Sequence, residues 1–157
     1  GAKFVEVDAA ATADAETSGG YAKEMAEDYQ AKQDRVLADV VAKNDIVICT
    51  ALIPGRPAPV LVTPKMVEKM KPGSVIVDLA VEQGGNCPLS EFGKVVEKEG
   101  VILVGHANVP SRIATDATAM YAKNLFNFIE PMVDSENKAL NINWEDEIIK
   151  ALKEFDK

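Results

Sequence analysis

Thr50–Glu91 reads TALIPGRPAPVLVTPKMVEKMKPGSVIVDLAVEQGGNCPLSE, and its punctuation decides the fold. The β-branched apolar run DIVICT (Asp45–Thr50) leads into it and exits through a loop of small residues and prolines, Thr50–Pro59. Thr63-Pro64 opens a helix, with Thr as N-cap and Pro at the first helical position. Met66, Val67 and Met70 fall on that helix's inward side, and Lys71-Pro72-Gly73 ends it in a tight turn. SVIVDLAV (Ser74–Val81) is a second buried strand, followed by the glycine-rich exit loop Glu82–Pro88. DIVICT is apolar on both faces, which suits a parallel sheet covered by helices.

The same alternation extends in both directions. Upstream, KFVEV (Lys3–Val7) is a short alternating strand candidate, Asp8–Gly20 is a polar loop, and Tyr21 to Lys43 turns helical. Met25, Tyr29, Val36, Leu37, Val40 and Val41 give that helix one apolar stripe. Downstream, VILVG (Val101–Gly105) is the next strand. Ser111–Ile129 is a helix with Ile113, Ala117, Met120, Tyr121, Leu125 and Phe128 on one side. Ala139–Asn143 is a last short strand, and Trp144–Phe155 an amphipathic helix with Ile148, Leu152 and Phe155 in line. The division is residues 1–143, the C-terminal part of a dinucleotide-binding domain, and residues 144–157, a C-terminal helix. Strand–helix–strand alternation predicts an α/β fold: a Rossmann-like parallel sheet with flanking helices and right-handed crossovers. The chain contains no G-x-G-x-x-G turn. Laid on the 3-2-1-4-5-6 strand order of dinucleotide-binding domains, as the family resemblance given below implies, KFVEV would be strand 3 and DIVICT strand 4, so the expectation is a sheet lacking its first two strands and Gly-rich loop. KFVEV and DIVICT are therefore not neighbours in a ladder, and the expectation is a fragment of a longer chain or a subunit completed by another polypeptide.

Composition narrows the function. Hydrophobic residues make up 47% and charged residues 27% of 157, ordinary for a globular domain. The net charge of -8, with no block of Lys or Arg, argues against nucleic acid as a partner. Cys49 and Cys87 have no C-x-x-C spacing, which reads as free thiols in a reducing compartment. No apolar run approaches the roughly 20 residues that span a bilayer.

Ligands of open α/β sheets bind beyond the carboxyl ends of the strands, so the loops of interest are Thr50–Pro59, Ala80–Pro88 and Gly105–Arg112. In the first, small residues such as Ala51 let a flat ligand lie against backbone, and prolines hold the loop without ordering cost; a stiff connector needs the same residues. In the second, Gly84-Gly85 permits close approach of a ligand, or merely a tight turn. Asp78, within a buried strand, needs hydrogen-bond partners, which loop N–H groups can supply. His106, the only histidine, is either a general acid/base or a hydrogen-bonded structural residue. Asn108 offers an amide to a nicotinamide carboxamide, and Ser111 can cap the next helix. Ser18–Met25, SGGYAKEM, hangs Tyr21 on Gly19-Gly20, which suits a closing lid or a loop whose Tyr packs on its own helix. A dehydrogenase acting on a carbonyl or imine needs an acid/base, whereas hydride transfer between nicotinamide rings needs only positioning. No residue stands out as catalytic or as a metal ligand.

ALIPGRPAP, MKPGSVIVDLAVEQGGNCPLSE and GHANVPSRIATDATAMYAKNLFNF resemble the NAD-binding α subunit (domain I) of proton-translocating NAD(P) transhydrogenase, with similarity from Gly1 to about Val133. Alanine dehydrogenase shares the fold and a related I-P-G / M-K-P-G / Q-G-G framework; GGNCPLSE and the NVPSR helix fit transhydrogenase better. The resemblance implies NAD(H) contacts at Gly20, Gln33 and Leu52, with Tyr21 on a mobile loop that closes over the cofactor. It implies hydride transfer to NADP(H) held on a partner domain, and a membrane domain that couples the reaction to protons. A homodimer, peripheral to the cytoplasmic or organelle-matrix face of a membrane, completes the expectation. The alternatives are an alanine-dehydrogenase-like amino-acid dehydrogenase and a non-catalytic assembly fragment.

Overall fold

A computed structural model describes residues 1–5, 27–53 and 55–154, with backbone alone for 27–30 and 153–154. These fall into two compact units, Gly1–Ala107 and Asn108–Lys157. The first is built on a four-stranded sheet of β1 (Ile46–Cys49), β2 (Val75–Asp78), β3 (Lys94–Lys98) and β4 (Val101–Gly105). The strand order is β1-β2-β4-β3. β1, β2 and β4 run parallel, with Val47 beside Ile76 and Ile76 beside Leu103. That is the order expected of their runs, and the fold is Rossmann-like.

The sheet is mixed, not purely parallel, because β3 pairs antiparallel with β4. The run KVVEK escapes a reading by pattern, since its one apolar pair is flanked by charge and its exposed edge has no need of a longer one. Glu99 and Gly100, both at positive φ (52° and 74°), make the two-residue turn that matches hairpin twist. Lys94 and Lys98 both pair with Glu91 across the exposed edge.

Two helices in this unit serve the sheet. In α1 (Glu27–Lys43) Val41 is buried and Leu37 and Ala38 pack against the core. In α2 (Pro64–Val67) Thr63 occupies the N-cap and Pro64 the first turn, as expected. The Thr63 hydroxyl makes no capping bond; its carbonyl accepts the N–H groups of Met66 and Val67 instead. Met66, Val67 and Met70 are buried beside Cys49, Ile76, Val101 and Leu103. Alternate residues of a strand face opposite sides, so one sheet face carries this core. On the other, Ile46 and Ile48 remain 65% and 63% exposed. The two-sided apolar pattern of DIVICT thus has only one side covered in this unit. Lys3–Val5 form no strand, and among the described residues β1 pairs with β2 alone, so no Val5–Val47 ladder exists. A strand needs a partner's backbone, and Lys3–Val5 have none among the described residues; Glu6 and Val7 lie outside them.

The second unit opens with a tight turn, Val109–Ile113, before α3 (Ala114–Ile129). The expected start at Ser111 is therefore corrected: its N–H and hydroxyl both go to the Asn108 carbonyl, closing the turn and not the helix. The expected inward stripe of α3 is not buried in this chain; Met120 and Tyr121 are 71% and 66% exposed. A two-stranded hairpin follows, β5 (Val133–Asp134) with β6 (Ala139–Leu140). The last strand is thus shorter than Ala139–Asn143 and belongs to its own ribbon. Asp146 Oδ1 accepts the N–H groups of Ile148 and Ile149 and so caps α4 (Glu147–Glu154). Its buried residue is Ile149, while Ile148 and Leu152 face out; Phe155 lies outside the described residues. Among the described residues no helix is long and apolar enough to cross a membrane.

Candidate functional site

Two loops leave the carboxyl ends of β1 and β2 and are tied together there. Asp78, the last residue of β2, is fully buried. Its Oδ1 accepts the N–H groups of Ala80 (3.0 Å) and Asn86 (3.2 Å), and its Oδ2 that of Cys87 (3.0 Å). This is the structural role expected of it: three N–H bonds offset the cost of burying a carboxylate. Gly85, at φ +83°, brings its backbone against Asp78 so closely that a Cβ would lie 2.7 Å from Oδ2.

Asn86, also fully buried, then joins the two loops. Its Oδ1 accepts the Ala51 N–H at 3.1 Å, and its Nδ2 donates to the carbonyls of Ala51 (3.0 Å) and Pro59 (2.8 Å). The Asn86 carbonyl takes the N–H groups of Leu61 and Val62, and the Gln83 carbonyl that of Ala58. Asn86 thus ties Ala51 to Pro59 across the loop, in addition to whatever restraint the prolines supply. Sequence reasoning passes over Asn86 as one more turn residue. The signal available is a carboxamide directly after two glycines, the side chain that pairs as a peptide does.

The remaining sequence candidates are placed as follows. Ala51 is half-buried, and both of its backbone polar groups are spent on Asn86, so only its methyl group is open to a ligand. Leu52 and Ile53 stand 47% and 39% exposed on the clamped loop. Gln33 is half-buried on α1. Along β1, Leu37, Val40, Val41, Ile46, Ile48 and Leu61 line an apolar groove of about 380 Å³ that reaches Thr50 and Ala51. His106 follows β4 directly and is half-buried. Asn108 opens the second unit, exposed and in the left-handed region at φ 46°. Gly20 and Tyr21 lie outside the described residues. Burial, with Asp78 and Cys87 adding to it, pushes the Cys49 thiol up to about 11. Burial pushes the Cys87 thiol up as well. Both cysteines are free and buried. No cluster of metal-ligating side chains occurs among the described residues.

The parallel β1-β2-β4 core, with β3 antiparallel at its edge and helices packed on it, defines a Rossmann-like fold. Residues 1–155 match the family described as alanine dehydrogenase/PNT, C-terminal domain, and the chain belongs to that family. It is 60% identical over 149 residues to an NAD(P) transhydrogenase alpha subunit of Rhodospirillum rubrum, covering 95% of this chain and 39% of that protein. The corresponding subunit from Rickettsia prowazekii is 43% identical over 152 residues, covering 97% and 38%. Alanine dehydrogenase of Bacillus subtilis is more distant in extent, 40% identical over 116 residues and covering 66% of this chain and 31% of that one. Among solved structures, a transhydrogenase from Sinorhizobium meliloti matches with a TM-score of 0.66 and 59% identity over 79% of this chain and 34% of that one. An L-alanine dehydrogenase matches with a TM-score of 0.50 and 30% identity, covering 78% and 38%. The chain spans less than half the length of these relatives.

Proposed function

We propose that this chain is the C-terminal part of the NAD(H)-binding α subunit of a proton-translocating NAD(P) transhydrogenase. In this reading it presents NAD(H) to an NADP(H)-binding partner domain, and hydride passes directly between the nicotinamide rings. The observation that carries the reading is identity of 60% to a transhydrogenase α subunit, running through 149 residues that include both clamped loops. Alanine dehydrogenase similarity stops short of that extent.

The chemistry of the site supports the proposal. Leu52 and Ile53 are apolar side chains held out of the core on a pinned loop, which suits the flat face of a nucleotide ring. We assign Gln33 an amide contact to the cofactor, and Gly20 and Tyr21, which lie outside the described residues, the closing role that the family resemblance implies. Hydride transfer alone needs no acid/base. Membrane coupling and dimer formation belong to the assembled enzyme.

The test is activity of the complete subunit with its partner domains. The expected result is NADH-dependent reduction of an NADP+ analogue, with no reduction of NAD+ by alanine. Alanine-dependent NADH formation without transhydrogenation would overturn the proposal.

A further inference from the structure

We infer that Asn86 is a positioning residue for the cofactor loop, setting the orientation of Leu52 through the Ala51 peptide, with Asp78 holding Asn86 in turn. The inference rests on the reading of that loop as part of an NAD(H) site. The β1–β2 ladder ends where the Leu79 N–H donates to the Cys49 carbonyl at 2.9 Å. Continued pairing would next engage the backbone of Ala51. That backbone instead turns to the Asn86 side chain, which returns one acceptor and one donor to the same residue. A carboxamide can do this because it is a peptide group on a tether; a carboxylate cannot donate and a hydroxyl cannot span both atoms.

The consequence is geometric. The N–H and C=O of Ala51 are each anchored to one rigid amide, so the chain direction entering Leu52 is set before any ligand arrives. The second Nδ2 hydrogen holds Pro59, at the far end of the loop. Every polar atom of the Asn86 side chain is used, inside a site with no exposure. Asp78 fixes the clamp by accepting the Asn86 N–H from within β2. A loop held this way binds without an ordering cost, and small errors in placing a nicotinamide ring weigh heavily on hydride transfer.

The assembled enzyme containing this chain separates positioning from structural support. Asn86→Ala removes the three side-chain bonds but leaves the Asn86 carbonyl, and therefore the Leu61 and Val62 N–H bonds, in place. Ile76→Val is the control, a core change within β2 that lowers stability while removing none of the Asn86 side-chain bonds. The expected result is about a tenfold weaker NADH Kd in Asn86→Ala, the size of one lost loop-ordering contribution. Hydrogen exchange should speed at the Ala51 amide and stay slow at Leu61 and Val62, and Ile76→Val should leave NADH binding unchanged. Should Asn86→Ala not fold, Asn86→Asp keeps the acceptor for the Ala51 N–H and loses both donors, and a weakened NADH Kd is again expected. Unchanged NADH affinity in a folded Asn86 variant with a fast-exchanging Ala51 amide overturns the inference. Equal weakening in the Ile76→Val control also overturns it. A wild-type enzyme that binds no NADH removes instead the reading of the site.

Discussion

Gly84 and Gly85 are adjacent and both adopt positive φ, +95° and +83°, yet the structure predicts very different costs for replacing them with alanine. An alanine in the left-handed region costs roughly 1–2 kcal/mol, partly offset by about 0.4–1 kcal/mol from the stiffer unfolded chain. Gly84 has nothing within 4 Å of a new Cβ, so Gly84→Ala should cost about 1 kcal/mol. At Gly85 the new Cβ would sit 2.7 Å from Asp78 Oδ2. Asp78 is buried among fixed partners and cannot yield without losing its bond from the Cys87 N–H. A hydrogen bond to a charged group is worth about 1.5–3 kcal/mol, so Gly85→Ala should cost about 3 kcal/mol in all. Urea unfolding followed by far-UV circular dichroism reads the difference. With m near 2 kcal/mol/M, the midpoint of Gly85→Ala should lie about 1 M below that of Gly84→Ala. Midpoints that coincide would refute the reasoning and mean that Asp78 is not held where its three donors place it.

Other consequences are open to direct measurement. The folded Cys49 thiol stays protonated where the unfolded one, near 8.5, has lost its proton. Its contribution to stability is therefore intact below about pH 8.5 and lost as pH rises toward about 11; thermal melts across that window should fall more steeply for wild type than for Cys49→Ala. Ile76→Ala, at a site with no exposure, should cost about 2–4 kcal/mol. Ile48→Ala, 63% exposed, should be nearly silent in this chain and destabilising in the complete subunit, if the far face of β1 is covered there; denaturation of both forms checks this. The 157-residue chain alone, without a glycine turn to hold pyrophosphate, should bind NADH weakly, and a sub-micromolar Kd by calorimetry would contradict that. Tyr21→Ala in the assembled enzyme should slow turnover and weaken NADH modestly without lowering the melting temperature, as expected of a lid; equal losses of activity and stability would point to simple packing.

Runs of short-range signal carry the sequence a long way here. DIVICT, SVIVDLAV and VILVG are β-branched and apolar with turns between them, so strand identity, parallel order and the position of the loops at the strands' carboxyl ends follow from local chemistry and the handedness of crossovers. Thr63-Pro64 marks a helix start for the same reason, since propensity there is set by the residues' own backbone; the expected end at Lys71-Pro72-Gly73 is not where it stops, because the helix closes at Val67 and turns carry the chain on. What the sequence could not decide depended on partners distant in the chain. KVVEK became a strand because the Glu99-Gly100 turn folds it onto β4, and Lys3–Val5 pair with no strand among the described residues. The stripe on α3 reads as core by period, but a period says only that residues share a face, not that another surface meets it. Asn86 is the clearest case. One asparagine in a turn is ordinary in a string of letters, and its meaning arises when folding brings Ala51 and Pro59 to within hydrogen-bond reach across 35 and 27 residues. Local sequence determined the elements and their order; the tertiary structure alone decided which polar groups meet, because hydrogen-bond pairing is a property of distance in space and not along the chain.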